Sequence, residues 1–182
     1  MDRTTALELL QSKLKTQNLV KHSLACEAVL AALARRLGQE EATWQLAGLL
    51  HDIDYDETVD SPQTHGLIGA KLLEEAGVDS AVVHVVLSHA DKAPRDSLLD
   101  KAAWCVDPLT GLIVAAALIR PEKKLAAIDA QFVLNRMKEK SFARGASREQ
   151  IGACEQELGL PLDEFVAIGV KAMQEISGEL GL

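Results

Sequence analysis

The strongest constraint on the fold is that no stretch of six residues alternates convincingly between apolar and polar side chains. Apolar residues instead recur every three or four positions, as they do on one face of an α-helix. Alanine and leucine, both strong helix formers, occur 26 and 28 times among the 182 residues. The pattern therefore predicts an all-α fold, and a chain of this length can bury a sizeable core.

The predicted helices follow one another with short connections. They span about residues 4–16, 20–37, 40–50, 64–76, 80–89, 97–108, 109–118, 122–127, 129–140, 147–158 and 162–180. Gly38 suits the left-handed position that follows a helix, and Ser147 with Gln150 has the spacing of a capping box. Pro108 is predicted to end a helix because proline has no amide hydrogen to donate. The acidic stretch 54–64 is predicted to be a loop.

No internal repeat, low-complexity segment or Gly/Ser linker divides the chain. We therefore expect a single domain over residues 1–182, with a core unit at about 19–120 and a helical C-terminal extension at about 121–182. Apolar residues of the last predicted helix, between Phe165 and Ile176, are expected to pack internally or across a homodimer interface.

Charge and hydropathy limit the expected partners. The chain has 27 acidic residues against 19 lysines and arginines, a formal net charge of −8. Such a surplus lacks the positive surface that attracts nucleic acid, so we expect no nucleic-acid polymer as a partner. The longest apolar run, residues 109–119, has 11 residues, which is too few to span a bilayer. We therefore expect no membrane contact.

The cysteines and the first residues indicate the compartment. Cys26, Cys105 and Cys154 are far apart and form no Cys-x-x-Cys pair, which is typical of a reducing environment. Each is expected to be a small buried apolar residue. The first residues show no basic region followed by an apolar one, as a secretory signal would. The expected location is the cytoplasm.

Two histidines lie on faces of predicted helices that are otherwise apolar. His22 shares its face with Cys26 and Val29, and His89 shares one with Val85. An imidazole directed into a core requires a partner, because burying an unpaired polar group costs free energy. His84 lies off the face of His89 and is expected to have no ligand role.

Further polar groups stand at the ends of apolar helices. His51 and Asp52 directly follow an apolar segment, and Asp107 comes just before Pro108. Imidazole nitrogens and carboxylate oxygens are ligands of divalent transition metals. A metal would make their burial tolerable, because it neutralises the carboxylates and uses the imidazole lone pairs. The residues therefore predict a metal site.

The order of these residues resembles the H…HD…H…H…D pattern of the HD-domain metal-dependent phosphohydrolases. The matching residues are His22, His51, Asp52, His65, His89 and Asp107. The stretch 51–54 also resembles the HDIG-type form of the motif, with Asp54 where glycine would stand. The resemblance covers about residues 19–120 and implies an HD-domain-like helical bundle.

The resemblance also implies how the metal is held. One ion would be bound by four residues, namely His22, His51, Asp52 and Asp107. A second ion would be bound by His65 and His89, with Asp52 as the bridge. The expected cofactor is one or two divalent transition-metal ions (Fe, Mn, Zn, Ni or Co, with Mg possible). A metal-bound hydroxide would attack the phosphorus atom.

Other side chains are candidates for catalysis and substrate binding. Asp52 is expected to act at the reacting centre, and Asp54 either accepts a proton, orients the attacking water or is a solvated loop acid. Four cations near the predicted site could bind phosphate or remain solvated, namely Lys92, Arg95, Arg120 and Lys124. The basic run 136–148 forms either a lid over the site or an exposed helix face.

The preferred hypothesis is a metal-dependent phosphohydrolase that acts on a small phosphorylated metabolite, such as a nucleotide or dinucleotide. Two alternatives stay open. The same ligand framework can hold a di-iron centre that activates dioxygen, which would make the protein an oxygenase. The chain could also be a non-catalytic binding or regulatory module with an HD-like fold.

Overall fold

The computed structural model describes residues 1–182 and contains helices but no strands, so the all-α prediction is confirmed. Short 3₁₀ turns cover Pro62–Thr64 and Leu125–Ala127. The α-helices are α1 (Arg3–Lys13), α2 (Gln17–Leu37), α3 (Glu41–Leu50), α4 (Tyr55–Thr58), α5 (Leu67–Glu75), α6 (Ser80–His89), α7 (Leu98–Leu118), α8 (Ala130–Met137), α9 (Arg148–Gly152), α10 (Cys154–Leu158), α11 (Leu162–Glu175) and α12 (Ser177–Leu180).

Helices α2 and α3 approach most closely at Gly48. A Cβ atom at this position would lie 2.6 Å from the backbone nitrogen of Glu27 and 2.7 Å from the carbonyl oxygen of Cys26. Only glycine lets the two backbones come this close. The contact brings the C-terminal end of α3, which His51 and Asp52 follow, beside the first half of α2.

Helix α7 continues through Pro108, so the predicted break at this residue is wrong. Proline cannot donate to the carbonyl four residues earlier, which belongs to Trp104. The side-chain amide of Gln150 instead donates to the Trp104 oxygen at 3.5 Å. A residue from α9 thus replaces the missing backbone donor, and one long helix carries both Asp107 and Thr110.

The acidic stretch after α3 is more ordered than the loop prediction implies, since it contains α4 and a 3₁₀ turn. Asp56 ties this stretch to the connection between α1 and α2. Its carboxylate accepts hydrogen bonds from the amides of Lys15 and Thr16, at 2.6 and 2.9 Å. The chain then turns at Gly66, whose φ of +80° favours glycine, and enters α5.

The C-terminal helices pack onto the same core as the rest of the chain. A single cluster of 47 buried apolar residues extends from Ala6 to Leu180. Helix α11 packs against α2, α7 and α8, and buries Phe165, Val166 and Met173. These side chains pack internally, which is one of the two arrangements expected from the sequence. The predicted boundary near residue 120 and the possible homodimer stay predictions.

By length and composition, α7 could cross a membrane, with a mean hydropathy of 1.4 over its most apolar window. The prediction considered only the 11-residue run, whereas the helix itself is 21 residues long. Within the bundle, 56% of that window is buried. Core helices of globular proteins pass the same test, so this feature is weak evidence for a membrane span.

Candidate metal centre

Six side chains from five parts of the bundle converge at one place. They are His22 from α2, His51 and Asp52 after α3, His65 before α5, His89 at the end of α6, and Asp107 in α7. All six were predicted as metal ligands. The structure brings their nitrogen and oxygen atoms together in two adjacent sets that share Asp52.

The first set is built around the Nε2 atom of His22. This atom lies 3.3 Å from Nε2 of His51, 3.1 Å from Oδ1 of Asp107 and 3.7 Å from Oδ2 of Asp52. Oδ2 of Asp52 also lies 3.5 Å from Nε2 of His51. The side chains of His22 and Asp107 are 22% and 38% exposed, so this set opens to the surface.

The second set is built around the other oxygen of Asp52. Its Oδ1 atom lies 3.1 Å from Nε2 of His89 and 3.4 Å from Nε2 of His65. The two Nε2 atoms are 3.2 Å apart. The Asp52 carboxylate therefore directs one oxygen to each pair of histidines, which is the arrangement that a bridging ligand needs.

The opposite ring nitrogen of each histidine has its own partner. Nδ1 of His51 donates to the Gly48 carbonyl at 2.8 Å, and Nδ1 of His89 contacts the Val85 carbonyl at 3.3 Å. A carbonyl can only accept, so these bonds leave the Nε2 atoms as lone-pair donors. Such outer partners fix the tautomer and orientation of metal-binding imidazoles.

The remaining two histidines are held by side chains. Nδ1 of His22 lies 3.1 Å from Oγ1 of Thr110, whose hydroxyl donates to the Asp107 carbonyl at 3.0 Å. Nδ1 of His65 lies 2.8 Å from Oδ1 of Asp54. All four imidazoles thus present Nε2 to the centre, which fits a divalent cation better than a network of hydrogen bonds among the imidazoles.

The protonation states suit a cation only in part. Asp52 and His51 favour the forms that bind one, whereas in the other three histidines burial is outweighed by neighbouring acidic groups, which raise the pKa values. Burial raises the pKa of Asp52, but the neighbouring histidines more than offset this and hold it well below its usual range. Burial lowers the pKa of His51, which keeps this ring neutral. Burial likewise lowers the pKa of His65, but hydrogen bonds to Asp52 and Asp54 outweigh it and raise the pKa to about 9. A metal at His65 would therefore displace a proton.

Cys26 is the one potential donor that the sequence analysis assigned only to the core. It is 2% exposed, and its Sγ lies 3.7 Å from Nε2 of His22. His22, Cys26 and His51 together could hold a metal ion. The signal was present in the sequence, because residues four apart share one face of a helix.

The predicted phosphate-binding cations differ in how close they lie to the cluster and in whether their charges are paired. The aliphatic part of Lys92 lies beside Gly66, next to His65. Arg95 pairs with Asp91 at 2.6 Å and stacks on Trp104 at 4.5 Å, so its charge is already engaged.

Two further candidates do not reach the cluster. Arg120 lies two residues beyond the end of α7, and its guanidinium lies over the Phe132 ring at 5.4 Å. The helix from Asp107 to Leu118 alone rises about 16 Å. Lys124 is exposed and directly precedes the 3₁₀ turn Leu125–Ala127. His84 also lies elsewhere and contacts Asp100 at 3.0 Å.

Two cavities adjoin the cluster and share His22 and Gly111 in their walls. One, of about 400 Å³, lies between α2, α7 and the C-terminal residues 180–182, and contains Lys21. The other, of about 340 Å³, lies between α7 and the segment 143–146, and contains Arg144. The centre is therefore accessible, with a cation on either side.

The sequence profile of the HD domain matches residues 19–132, which include all six converging side chains. The chain belongs to the HD-domain family. The predicted bundle and the resemblance on which it rested are thereby confirmed. HD domains bind divalent metal ions, so the general class of the protein is a metal-dependent hydrolase.

Several curated relatives of this HD domain are ribonucleases Y. Ribonuclease Y of Oleidesulfovibrio alaskensis is 33% identical over 98 residues, which cover 53% of this chain and 18% of the relative. Ribonuclease Y of Chloroflexus aurantiacus is 39% identical over 82 residues, which cover 43% of this chain and 16% of the relative. The chain thus spans less than a fifth of these relatives. No solved structure matches it.

These relatives correct one prediction. From the net charge we expected a small-molecule phosphate substrate and no nucleic-acid polymer, and this expectation is wrong because the relatives are named ribonucleases. The physical reason is that net charge averages over the whole surface. Association with a phosphate depends on the charges near the site, and here Lys21, Lys92 and Arg144 surround the cluster while Asp52 and Asp107 belong to it.

Proposed function

We propose that this HD domain hydrolyses phosphodiester bonds in RNA with two divalent metal ions. The ligands would be the six converging residues, namely His22, His51, Asp52, His65, His89 and Asp107. The observation that carries the proposal is that the two oxygens of Asp52 face different pairs of histidines. Oδ2 faces His22 and His51, and Oδ1 faces His65 and His89. RNA as the substrate is supported by the names of the relatives.

Bound divalent ions would supply a water molecule of lowered pKa and positive charge for the phosphate oxygens. The residues of the chain determine where this chemistry occurs. The Nδ1 contacts of the four histidines hold Nε2 towards the centre, so the ligands need little rearrangement when a cation binds. Such preorganisation is the main contribution that a protein makes to phosphoryl transfer.

Asp54 has a different role in this proposal from that of a proton acceptor. Its Oδ1 accepts from His65 at 2.8 Å, and its Oδ2 accepts from the amides of Gly66 and Gly69 at 2.9 and 2.7 Å. The side chain is buried, with its oxygens directed at these three donors. We propose that Asp54 positions His65 and does not contact the substrate.

The surface around the centre favours an extended anionic substrate. The two cavities beside His22 leave space on both sides of a phosphate that reaches the cluster, and each contains one cation, Lys21 or Arg144. Lys92 stands on the His65 side. A polynucleotide can use several such positions at once, whereas a small phosphate ester occupies only one.

The test is cleavage of an end-labelled single-stranded oligoribonucleotide by protein loaded in turn with Mn²⁺, Mg²⁺, Zn²⁺ or Fe²⁺. We expect shorter labelled fragments with at least one metal. Asp52→Ala should lower the rate by about a thousandfold or more, because it removes the shared ligand. His84→Ala is the matched control, since His84 lies outside the cluster, and its rate should equal that of the wild type.

Two outcomes would contradict the proposal. If no metal supports cleavage of the oligoribonucleotide, or if Asp52→Ala cleaves at the wild-type rate, the centre does not hydrolyse RNA. An oxygen-sensitive di-iron spectrum together with inactivity towards phosphodiesters would favour the oxygenase alternative.

A further inference from the structure

Arg144 stands alone in the cavity of about 340 Å³ next to the candidate metal centre. The opposite wall contains His22 and Asp107, and Arg144 is the only lysine or arginine in the lining. Its side chain is exposed and makes no hydrogen bond or ion pair. A free guanidinium in the same cavity as candidate metal ligands is suited to an anion, and guanidinium pairs with phosphate through two parallel hydrogen bonds.

The segment that carries Arg144 is held by Arg148. The guanidinium of Arg148 donates to five backbone carbonyls, which belong to Met137, Glu139, Phe142, Ala143 and Ala146. The bonds to Ala143 and Ala146, which flank Arg144, both measure 2.7 Å. Hydrogen bonds from a charged donor are stronger than neutral ones, so this contact defines the shape of the segment.

The backbone next to Arg144 is strained. Ala143 has a φ of +43°, in the left-handed region that residues with a Cβ rarely adopt. Such a conformation persists only where the surroundings enforce it. Here the Arg148 bond to the Ala143 carbonyl and the burial of Ala146 provide the enforcement. The fold thus maintains a strained turn that places an unpaired cation beside the centre.

We propose that this cavity is a phosphate-binding subsite, in which Arg144 contacts the phosphate next to the one being cleaved. Arg148 is the positioning residue that holds Arg144 there. Arg144 and Arg148 lie beyond the residues that the HD-domain profile matches, whereas His22 and Asp107 in the same cavity lie within them. This inference rests on the proposed function, because a neighbouring phosphate exists only in an oligonucleotide.

The test compares a dinucleoside monophosphate, which has only the phosphate to be cleaved, with the trinucleotide that has one phosphate more. For the wild type we expect the KM of the trinucleotide to be about tenfold lower than that of the dinucleoside monophosphate, a KM ratio of about ten. Arg144→Ala should reduce this ratio to about one, and Arg144→Lys should retain part of it. Lys140→Ala is the matched control, because Lys140 is an exposed cation outside the cavity, and it should keep the full ratio.

Arg148→Lys tests the positioning role. It should lower the preference for the trinucleotide as Arg144→Ala does. The double variant Arg144→Ala/Arg148→Lys should have no lower preference than either single variant. This non-additivity is expected if both residues act through the same contact. A general loss of structure would instead lower the rates on both substrates and add to the effect of Arg144→Ala.

Several results would overturn the subsite. If Arg144→Ala raises the KM of both substrates equally, Arg144 contacts the cleaved phosphate. If it changes neither KM, Arg144 contacts no phosphate. If the wild type cleaves neither short substrate, cleavage of the longer oligoribonucleotide decides the proposed function, and binding of a fluorescent trinucleotide measured by anisotropy still tests the subsite. In that case Arg144→Ala should weaken binding about tenfold relative to Lys140→Ala; equal affinities would contradict it.

Discussion

Nδ1 of His65 lies 2.8 Å from Oδ1 of Asp54, while the other oxygen of the same carboxylate accepts the amides of Gly66 and Gly69. One buried side chain therefore orients a candidate ligand and anchors the start of α5. This explains how the chain uses an aspartate at the position where an HDIG-type motif has glycine. The carboxylate is needed because it can accept from all three donors at once.

Asp54→Asn should weaken metal binding at the His65 side by about 10- to 100-fold, the usual cost of losing an outer-shell partner. An amide has one acceptor oxygen, so it cannot serve both His65 and the backbone of α5. Metal affinity is measured by titration against a competing chelator. Asp56→Asn is the matched control, because Asp56 bonds to Lys15 and Thr16 and not to the cluster.

The same variant separates the two roles considered for Asp54. If Asp54 accepts a proton from the attacking water, its substitution should leave the metal affinity unchanged and alter the pH dependence of the cleavage rate. Unchanged metal affinity in Asp54→Asn, together with loss of the acidic limb of the pH–rate profile, would therefore favour the catalytic role, because that limb reports protonation of the base.

Metal stoichiometry tests whether the two oxygens of the Asp52 carboxylate bind two separate ions. We expect two ions per wild-type chain, one in His89→Ala and one in Asp107→Ala, because each variant damages only one set. Asp52→Ala should retain none after gel filtration, since both sets lose a ligand. Elemental analysis gives the counts, with His84→Ala as the control that keeps both ions. A single ion in the wild type would contradict the two-metal arrangement.

Removal of the metal should also destabilise the protein. Without cations, the Asp52 carboxylate stays buried without a metal counter-charge, and the imidazoles around it lose their shared ligand. A ligand present at a thousand times its Kd stabilises the folded state by about 4 kcal/mol. For a chain of this length each kcal/mol changes Tm by about 2–4 °C, so chelation should lower Tm by about 8–16 °C.

The control for chelation is Asp52→Ala, which should already lack metal. Its Tm should change little when the chelator is added. If the wild-type Tm were also insensitive to the chelator, the case for a metal centre would fail, whatever the activity of the protein.

The convergence of the six candidate ligands was predictable from the sequence because their signals are local. Helix periodicity identified His22 and His89 as inward-facing, and the adjacent His51 and Asp52 matched a family pattern. Cys26 was assigned to the core alone, although its spacing of four residues from His22 places both on one helix face.

The errors came from contacts between distant parts of the chain. By local rules Pro108 ends a helix, because it leaves the Trp104 carbonyl without its backbone donor. Gln150, which is 46 residues further along the chain than Trp104, donates to that carbonyl instead. The position of Arg144 beside Asp107 depends on the contacts of Arg148, which no sequence period reports. The substrate prediction failed for a similar reason, because total charge does not locate individual cations.

Asp100 provides a test of electrostatics away from the candidate metal centre. It is 1% exposed, and its carboxylate accepts hydrogen bonds from the amide and hydroxyl of Ser97, from Ser88 and from His84. Burial raises the pKa of Asp100, but the bonds from His84 and Ser97 outweigh it and hold the pKa below its usual value. The folded state therefore favours the ionised form.

A lowered pKa fixes the sign of the pH effect. The stabilisation by Asp100 is fully present above the unfolded-state pKa of about 3.9, and it is lost as the pH falls through the lower pKa of the folded state. Asp100→Asn should thus lower the free energy of unfolding by about 1–3 kcal/mol at pH 7, and this deficit should shrink below about pH 4. Urea unfolding of both proteins in chelator, across pH, measures the deficit free of metal effects. Asp60→Asn, an exposed acid without side-chain bonds, should show none, and a deficit for Asp100→Asn that stays constant with pH would contradict the argument.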